Sequence, residues 1–397
     1  MKILYDGEIY SIFRRGGVIR YFHNLISRLP AQCHPIVLGN DDMPESPAHP
    51  NLQQHVHANR WVPRHLKFVR KSLDRRYCRT RFRSLAPDLI HPTYFQNVAR
   101  GRYDQRRVPL VLTVYDMIHE RFGEQIDRSG KHSLMKREAI RRADHLICIS
   151  ETTRQDLMDR FDIPETQTSV TLLGVEPQFF CSPECMVPDV PVPEDFTPER
   201  PYFVFVGRRD LYKNWDRLLE AFRQVHQQQP EIQLAIVGSE FSADEKEVIA
   251  SLKLTQAIVH LGTVDDPTLI AIYRRSLGFI FPTLWEGFGL PLLEGIASGT
   301  CVLASDIPVF REIADGGFQP FDPYVPDSIA QAMLDVANDD QLREDLIQRG
   351  KQLLPRYDWA ETARQTFQIY QQVLGNLPAK SRRLANLKPE NVPDHTA

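Results

Sequence analysis

The stretch Phe281-Pro282-Thr283-Leu284-Trp285-Glu286-Gly287-Phe288-Gly289-Leu290-Pro291-Leu292-Leu293-Glu294 holds the densest chemistry in this sequence. An apolar run ends at Pro282, a loop with two glycines follows, and a helix opens near Pro291, a residue tolerated in a first helical turn. Backbone N–H groups at such a helix start, reached closely through Gly287 and Gly289, form an anion site. Glu286 on the loop and Glu294, expected on the first turn of the helix, flank it. One carboxylate can reach a ribose while the other reaches a sugar hydroxyl. A second candidate is Gly207-Arg208-Arg209-Asp210-Leu211-Tyr212-Lys213-Asn214, again between a strand and a helix. Arg208 suits bidentate contact with phosphate and Lys213 a point-charge contact, so together they would neutralise a diphosphate. Alone, the second motif reads equally well as solvated surface cations. Beside the first, it points to a nucleotide diphosphate.

The elements that must position these groups follow an α/β grammar. In the first half, Ile3-Leu4-Tyr5, Pro35 to Leu38, Leu89-Ile90, Leu110 to Val114, His145 to Ile149 and Val170 to Leu173 read as strands. Helical spacing runs from Val18 to Leu29, Leu134 to Ala143 and Glu151 to Arg160. Continuous apolar strands separated by helices argue for a parallel sheet covered on both faces. Between Cys181 and Pro201 six prolines interrupt the pattern, which marks a linker. The grammar restarts with Tyr202 to Gly207, a helix from Trp215 to Gln227, and strands at Leu234 to Gly238, Ile258 to Leu261, Gly278 to Pro282 and Cys301 to Ala304. Leu290 to Ser298 reads as a helix. The expected organisation is therefore 1–180 as an N-terminal domain, 181–200 as linker, 201–355 as a nucleotide-binding domain, 356–378 as a C-terminal helix that could cross back, and 379–397 as a disordered tail. In doubly wound domains ligands sit outside the carboxyl ends of the strands. That places Asp116 and His119, just past the strand Leu110 to Val114, among the candidate site residues. A loop-capping aspartate and an ordinary histidine would look the same at this level.

The bulk properties narrow the classes. The chain has 397 residues, 42% apolar and 25% charged, with net charge −3, as expected for two globular domains. No apolar stretch approaches the roughly 20 residues of a membrane span. The start, Lys2-Ile3-Leu4-Tyr5, does not follow a secretion-signal pattern, so a cytoplasmic protein is expected. Six cysteines are scattered, with Cys181 and Cys185 the one close pair and no histidine cluster to complete a zinc site.

With these residues in hand, the chain resembles the retaining glycosyltransferases of family four, the group 1 glycosyl transferases of the GT-B fold. The most specific part is the Glu286 to Glu294 pair around Gly-Phe-Gly-Leu-Pro. Gly207-Arg208 with Lys213-Asn214, Leu218-Leu219-Glu220-Ala221-Phe222, His260-Leu261-Gly262 and Gly16-Gly17 add to it. The resemblance implies two doubly wound Rossmann-like domains facing a central cleft. It implies that Arg208 and Lys213 bind the donor diphosphate, that Glu294 binds the ribose, and that Glu286 contacts the transferred sugar. Gly287, Phe288, Gly289 and Leu290 would present backbone N–H groups, and Val259 to Leu261 would line the nucleobase pocket. Gly16 and Gly17 would let the first loop approach phosphate and acceptor. Asp116 and His119 would lie near the reacting sugar or acceptor hydroxyl; where many relatives have His before this aspartate, this chain has Tyr115. The implied reaction moves a hexose from a UDP- or GDP-sugar to a saccharide or lipid-linked saccharide of a cell-surface polysaccharide, with retention. No cofactor and no metal are expected, because the sequence has no Asp-Xaa-Asp and Arg208 and Lys213 can meet the diphosphate charge.

Other readings set against this one are a catalytically silent GT-B binding subunit, a nucleotide-sugar epimerase and a phosphorylase-like enzyme on the same fold. The segment Arg60 to Arg83 holds ten basic residues against Asp74. Leu66, Val69, Leu73 and Tyr77 recur through it at helical spacing. It reads either as a helix on an anionic membrane surface, giving a peripheral protein, or as a solvated helix packed on its own domain. Nucleic acid is not an expected partner, because the whole chain is not basic.

Overall fold

Runs of β-branched and aromatic residues become the buried strands of parallel sheets. The computed structural model describes residues 1–13, 16–40, 43, 46–58, 62, 63, 66–101, 108–180 and 200–376. The chain divides into two compact units, Met1–Leu172 with the segment from Trp359 onward, and Leu173–Asp358. Most of the expected linker, the expected tail, and Arg60 and Arg64 lie outside the described residues.

In the first unit the strands are β1 (Lys2–Tyr5), β2 (His34–Asn40), β3 (Gln53–His57), β4 (Leu89–Ile90), β5 (Val111–Val114), β6 (His145–Cys148) and β7 (Thr168–Val170). They pair in parallel in the orders β3-β2-β1-β4 and β5-β6-β7, and a parallel bridge from Ile90 to Leu110 joins the two runs. The run Val170 to Leu173, expected as a strand, is strand only at Val170. The sequence pattern does not anticipate β3. Its residues Gln-Gln-His-Val-His are largely exposed, and it exists because β2 offers an open edge, with Ile36 opposite Gln53 and Asn40 opposite His57.

The helix Trp359–Gly375 belongs to this first unit. Its Tyr370 hydroxyl meets Tyr5 Oη at 3.2 Å and His91 Nδ1 at 2.5 Å. His91 Nε2 reaches Thr113 Oγ1 at 2.8 Å, which also meets Tyr21 Oη at 3.0 Å. The network is fully buried, and burial holds the His91 imidazole down at about 3. Thr362 on the same helix donates to the Leu172 carbonyl at 2.7 Å.

The second unit carries β8 (Tyr202–Val206), β9 (Gln233–Val237), β10 (Ile258–Gly262), β11 (Gly278–Phe281), β12 (Val302–Ser305) and β13 (Gln319–Phe321) in the order β10-β9-β8-β11-β12-β13. This is the doubly wound order, with its switch point between β8 and β11. The helix Trp215–Gln228 shows how the unit is held. Leu218, Leu219, Phe222 and Val225 recur at helical spacing and are fully buried against Phe203, Phe205 and Leu234. Each such side chain contributes about 1.5–3 kcal/mol on burial.

The basic segment forms a helix, Lys67–Leu85. Phe82 on its last turns is buried in the core of the first unit, while Phe68 on its first turn is 79% exposed. Among the described residues no helix is long and apolar enough to cross a membrane.

Candidate functional site

The loops after β8 and β11, adjacent across the switch point, bring the two sequence motifs of the second unit together. After β8, Gly207 adopts φ 127°, and the backbone turns into a short 3-10 turn, Leu211–Lys213. Asn214 then takes the left-handed conformation with φ 61°. Its buried amide donates to the Pro282 carbonyl at 3.0 Å and the Pro323 carbonyl at 2.6 Å. Leu284 N and Thr283 Oγ1 both donate to the Tyr212 carbonyl, at 2.7 and 3.1 Å. The two loops are thereby stitched to each other. The result is an ion pair: Lys213 Nζ lies 2.5 Å from Glu286 Oε1, with side chains 15% and 13% exposed. Lys213 also sits 5.1 Å from the rings of Phe281 and Tyr212.

Arg208 and Arg209 are consecutive but do different things. Arg208 is exposed and pairs with Asp210 at 3.0 Å. Arg209 is buried. It bonds Glu245 at 2.5 Å, donates to the carbonyls of Ser239 and Glu240, and lies 4.7 Å over the Phe241 ring. It therefore fixes the loop after β9. His260 Nε2 meets the Gly238 and Ser239 carbonyls at 3.1 and 2.9 Å and holds the same loop from β10. Val259 is buried within β10, and Leu261 near its end is half-buried.

The helix after β11 runs Leu290–Ser298, starting from Gly289 at φ 104° with no side-chain cap. A Cβ at Gly289 would lie 2.6 Å from the Phe310 ring, so only glycine fits there. Gly287 and Phe288 are buried, while Leu290 is half-buried. Glu294 is half-buried and is the fifth residue of the helix. The helix has the bounds that the sequence suggests, but its fifth residue lies beyond the 3.6 residues of one turn, so Glu294 stands on the second turn and not the first.

In the first unit, Gly16 has φ 142° and precedes the helix Gly17–Ser27. Phe13 and Val18, on either side of this glycine pair, line a pocket of about 200 Å³ with Tyr94, Tyr115, Asp116 and His119. Here the structure adds groups that the sequence does not single out. Lys136, buried on the helix Lys131–Arg142, donates to the Asp116 carbonyl at 2.5 Å and to Glu120 Oε2 at 2.8 Å. It lies 3.5 Å from Asp116 Oδ1. Burial raises the Asp116 carboxyl, but Lys136, the Ile118 N–H and the two nearby histidines outweigh it and hold the group below the usual carboxylate range. His119 stacks on His132 with ring centres 3.5 Å apart. Burial lowers both imidazoles, and His132, further opposed by His119 and Lys136, falls to about 4. Asp6 is a further buried group. It accepts from Thr93 N at 2.9 Å, Thr93 Oγ1 at 2.8 Å and Asn97 Nδ2 at 3.0 Å, tying the loops after β1 and β4 together.

Two family models match the chain in tandem. The glycosyltransferase family 4 model covers residues 15–179 and the glycosyl transferases group 1 model covers 190–353. The chain belongs to the family four, group 1 glycosyltransferases. Phosphatidyl-myo-inositol mannosyltransferase of Mycolicibacterium smegmatis is 33% identical over 47% of this chain and 49% of that protein. The O-antigen chain mannosyltransferase B of Escherichia coli is 25% identical over 59% and 62%. The chain thus spans about half the length of the first of these curated relatives. Among solved structures, sucrose-phosphate synthase from Thermosynechococcus elongatus superposes with TM-score 0.74 at 20% identity, covering 94% of this chain and 99% of that one. Anabaena HepE in complex with UDP and glucose gives 0.70 at 16% identity, over 95% and 99%. The fold is GT-B, α/β with two Rossmann-like domains.

Proposed function

We propose that this family member transfers a hexosyl group from a UDP- or GDP-sugar to a saccharide or lipid-linked saccharide in cell-surface polysaccharide synthesis, with retention and without a divalent ion. Mannose is the sugar to which the relatives' names point. The observation that carries the reading is the Lys213–Glu286 contact, which seats a cation and a carboxylate side by side at the carboxyl ends of β8 and β11. A nucleotide diphosphate at that position would draw on Lys213, Arg208 and the Gly289 helix start, and its ribose would meet Glu294. In the reaction the bond from the anomeric carbon to the diphosphate oxygen breaks and a bond to the acceptor oxygen forms. The acceptor's proton passes to a departing diphosphate oxygen, and attack from the same face retains configuration. Negative charge grows on the diphosphate, where fixed cations and helix N–H groups act without reorganising. Glu286 would orient the sugar as its ring becomes cationic. Asp116, kept ionised, is the proposed acceptor-side group, with His119 neutral beside it. The basic helix with exposed Phe68 is a proposed contact for an anionic membrane surface.

The test is a panel of UDP- and GDP-sugars with EDTA present, read by thermal shift and by nucleotide release. Binding of one nucleotide class at 100 times its Kd should stabilise the fold by about 2.7 kcal/mol, and Lys213→Ala and Glu294→Ala should abolish the shift. No binding by any nucleotide sugar in folded protein, with or without magnesium, would sink the transferase reading in favour of a silent binding subunit.

A further inference from the structure

We infer that the first unit holds a second anion site, separate from the donor loops, which takes a phosphate or diphosphate group carried by the acceptor. The word acceptor rests on the glycosyl-transfer reading; the anion site itself does not.

The helices Lys131–Arg142 and Glu151–Phe161 and the segment 119–130 enclose a cavity of about 560 Å³, within the range of small-molecule sites. Arg128, Arg137 and Arg160 line it. Among the described residues neither Arg128 nor Arg137 has a carboxylate partner. Arg137 lies 5.5 Å over the Phe161 ring, a contact that fixes its guanidinium without neutralising it. Arg160 is held at one edge by Asp156, Nε to Oδ1 at 2.7 Å, and donates to the Glu120 carbonyl at 3.3 Å. The two carboxylates on the same wall are committed elsewhere. Glu120 Oε2 accepts from Lys136 at 2.8 Å. Asp127 Oδ2 accepts the N–H groups of His132 and Ser133 at 3.0 and 3.1 Å. Neutral N–H donors leave the Asp127 charge in place, but among the described residues Arg128 and Arg137 outnumber it, so the cavity keeps an excess of guanidinium charge, and guanidinium forks match phosphate oxygens in pairs.

Its position says what the anion is attached to. His119 lines both this cavity and the 200 Å³ pocket that holds Tyr94, Tyr115 and Asp116. The smaller pocket has aromatic walls and one carboxylate, a composition suited to a sugar ring. A sugar seated there and bearing a phosphate would place that phosphate past His119, among the arginines. The ligand class is a glycosyl phosphate or diphosphate, soluble or lipid-borne.

The experiment uses the full chain carrying Arg208→Ala and Lys213→Ala, which removes diphosphate binding at the donor loops. Inorganic pyrophosphate is titrated calorimetrically at low salt. One-site binding should persist in this background and fall at least tenfold when Arg128→Gln and Arg137→Gln are added. Both arginines are exposed, so folding should be untouched. Nucleoside diphosphate binding in the chain with native Arg208 and Lys213 should be unchanged by the same pair, which separates this test from failure of the donor reading. Absence of binding in the Arg208→Ala/Lys213→Ala chain, or binding unaffected by loss of the two arginines, overturns the proposal. Glucose 1-phosphate and phosphatidylglycerol vesicles then distinguish the sources. A drop in vesicle co-flotation assigns the phosphate to a lipid, and a drop confined to glucose 1-phosphate assigns it to a soluble sugar.

Discussion

Replacing Glu286 by Gln should tighten nucleoside diphosphate binding while it cripples sugar transfer. In the free chain Lys213 is already engaged, 2.5 Å from Glu286 Oε1 with both side chains mostly buried. A diphosphate must therefore draw the ammonium away from a carboxylate. The gross Coulomb attraction at an effective dielectric of 20 is about 7 kcal/mol at that separation. Desolvation of the two ions cancels most of it, leaving about 1 kcal/mol of real competition. Gln keeps the shape and one acceptor but not the charge, so diphosphate affinity should rise roughly fivefold. Transfer should fall about 10²- to 10³-fold, the usual loss when one preorganised electrostatic group is removed. Titration calorimetry with UDP and GDP reads the first effect, and kcat at saturating donor reads the second. Lys213→Gln is the mirror experiment and should weaken the diphosphate about 10- to 100-fold, the worth of one charge-assisted hydrogen bond. Weaker diphosphate binding in a folded Glu286→Gln protein would refute the competition and remove Lys213 from the diphosphate site.

Gly289→Ala forces a side chain into a left-handed position and into the Phe310 ring. About 3 kcal/mol of stability should be lost from the second unit, whereas Gly130→Ala, with φ 61° but nothing within 4 Å, should lose about 1 kcal/mol. Equal losses in urea titrations would show that the Phe310 contact is relieved at no cost. His91 is neutral in the fold, at about 3, against an ordinary value near 6.5. Only the unfolded chain takes up its proton as pH falls below about 6.5, so stability drops toward acid, by about 2 kcal/mol between pH 7 and 5. In His91→Gln the urea midpoint should vary less over that interval, and an unchanged slope would contradict the assignment. Lys136→Met strands Glu120, whose side chain is 8% exposed, and should destabilise the first unit by about 3–5 kcal/mol. Asp116→Asn should lower kcat with nucleotide affinity intact; a parallel loss of nucleotide affinity would place Asp116 at the donor instead.

The parts of the fold that were legible are those where one residue type dictates one environment. The runs Tyr-Phe-Val-Phe-Val, Leu-Ala-Ile-Val and Gly-Phe-Ile-Phe could only be buried parallel strands, and they are. β3 was illegible because a polar edge strand is specified by its neighbour and not by its own residues. Within the site, Lys213 and Glu286 stood out because each sits beside a strand end and a glycine-bearing turn. Lys136 did not. On paper it is one of five cations in a twelve-residue helix, and only the fold brings Asp116 and Glu120 to it. Arg209 is the sharpest case. It is chemically identical to Arg208 and one position away, yet its side chain is 3% exposed against 75%. The alternation of an extended loop decides which of the two faces solvent, and a motif does not record that phase. Glu294 shows a smaller slip: the helix Leu290–Ser298 lies where its sequence puts it, yet Glu294, as its fifth residue, falls on the second turn and not the first.

The network around Tyr370 bears on how the chain is made. Tyr5 and His91 emerge early in synthesis, but the hydroxyl that joins them lies on the helix Trp359–Gly375. The second unit, Leu173–Asp358, is contained wholly between the two pieces of the first. On a ribosome it is therefore complete before the first unit is, and that unit must wait with part of its polar core unsatisfied until the last helix arrives. Synthesis thus reverses the order in which the units begin. Any stall or cleavage near residue 358 leaves behind a finished second unit and an unfinished first one, which is the half a chaperone or protease would recognise.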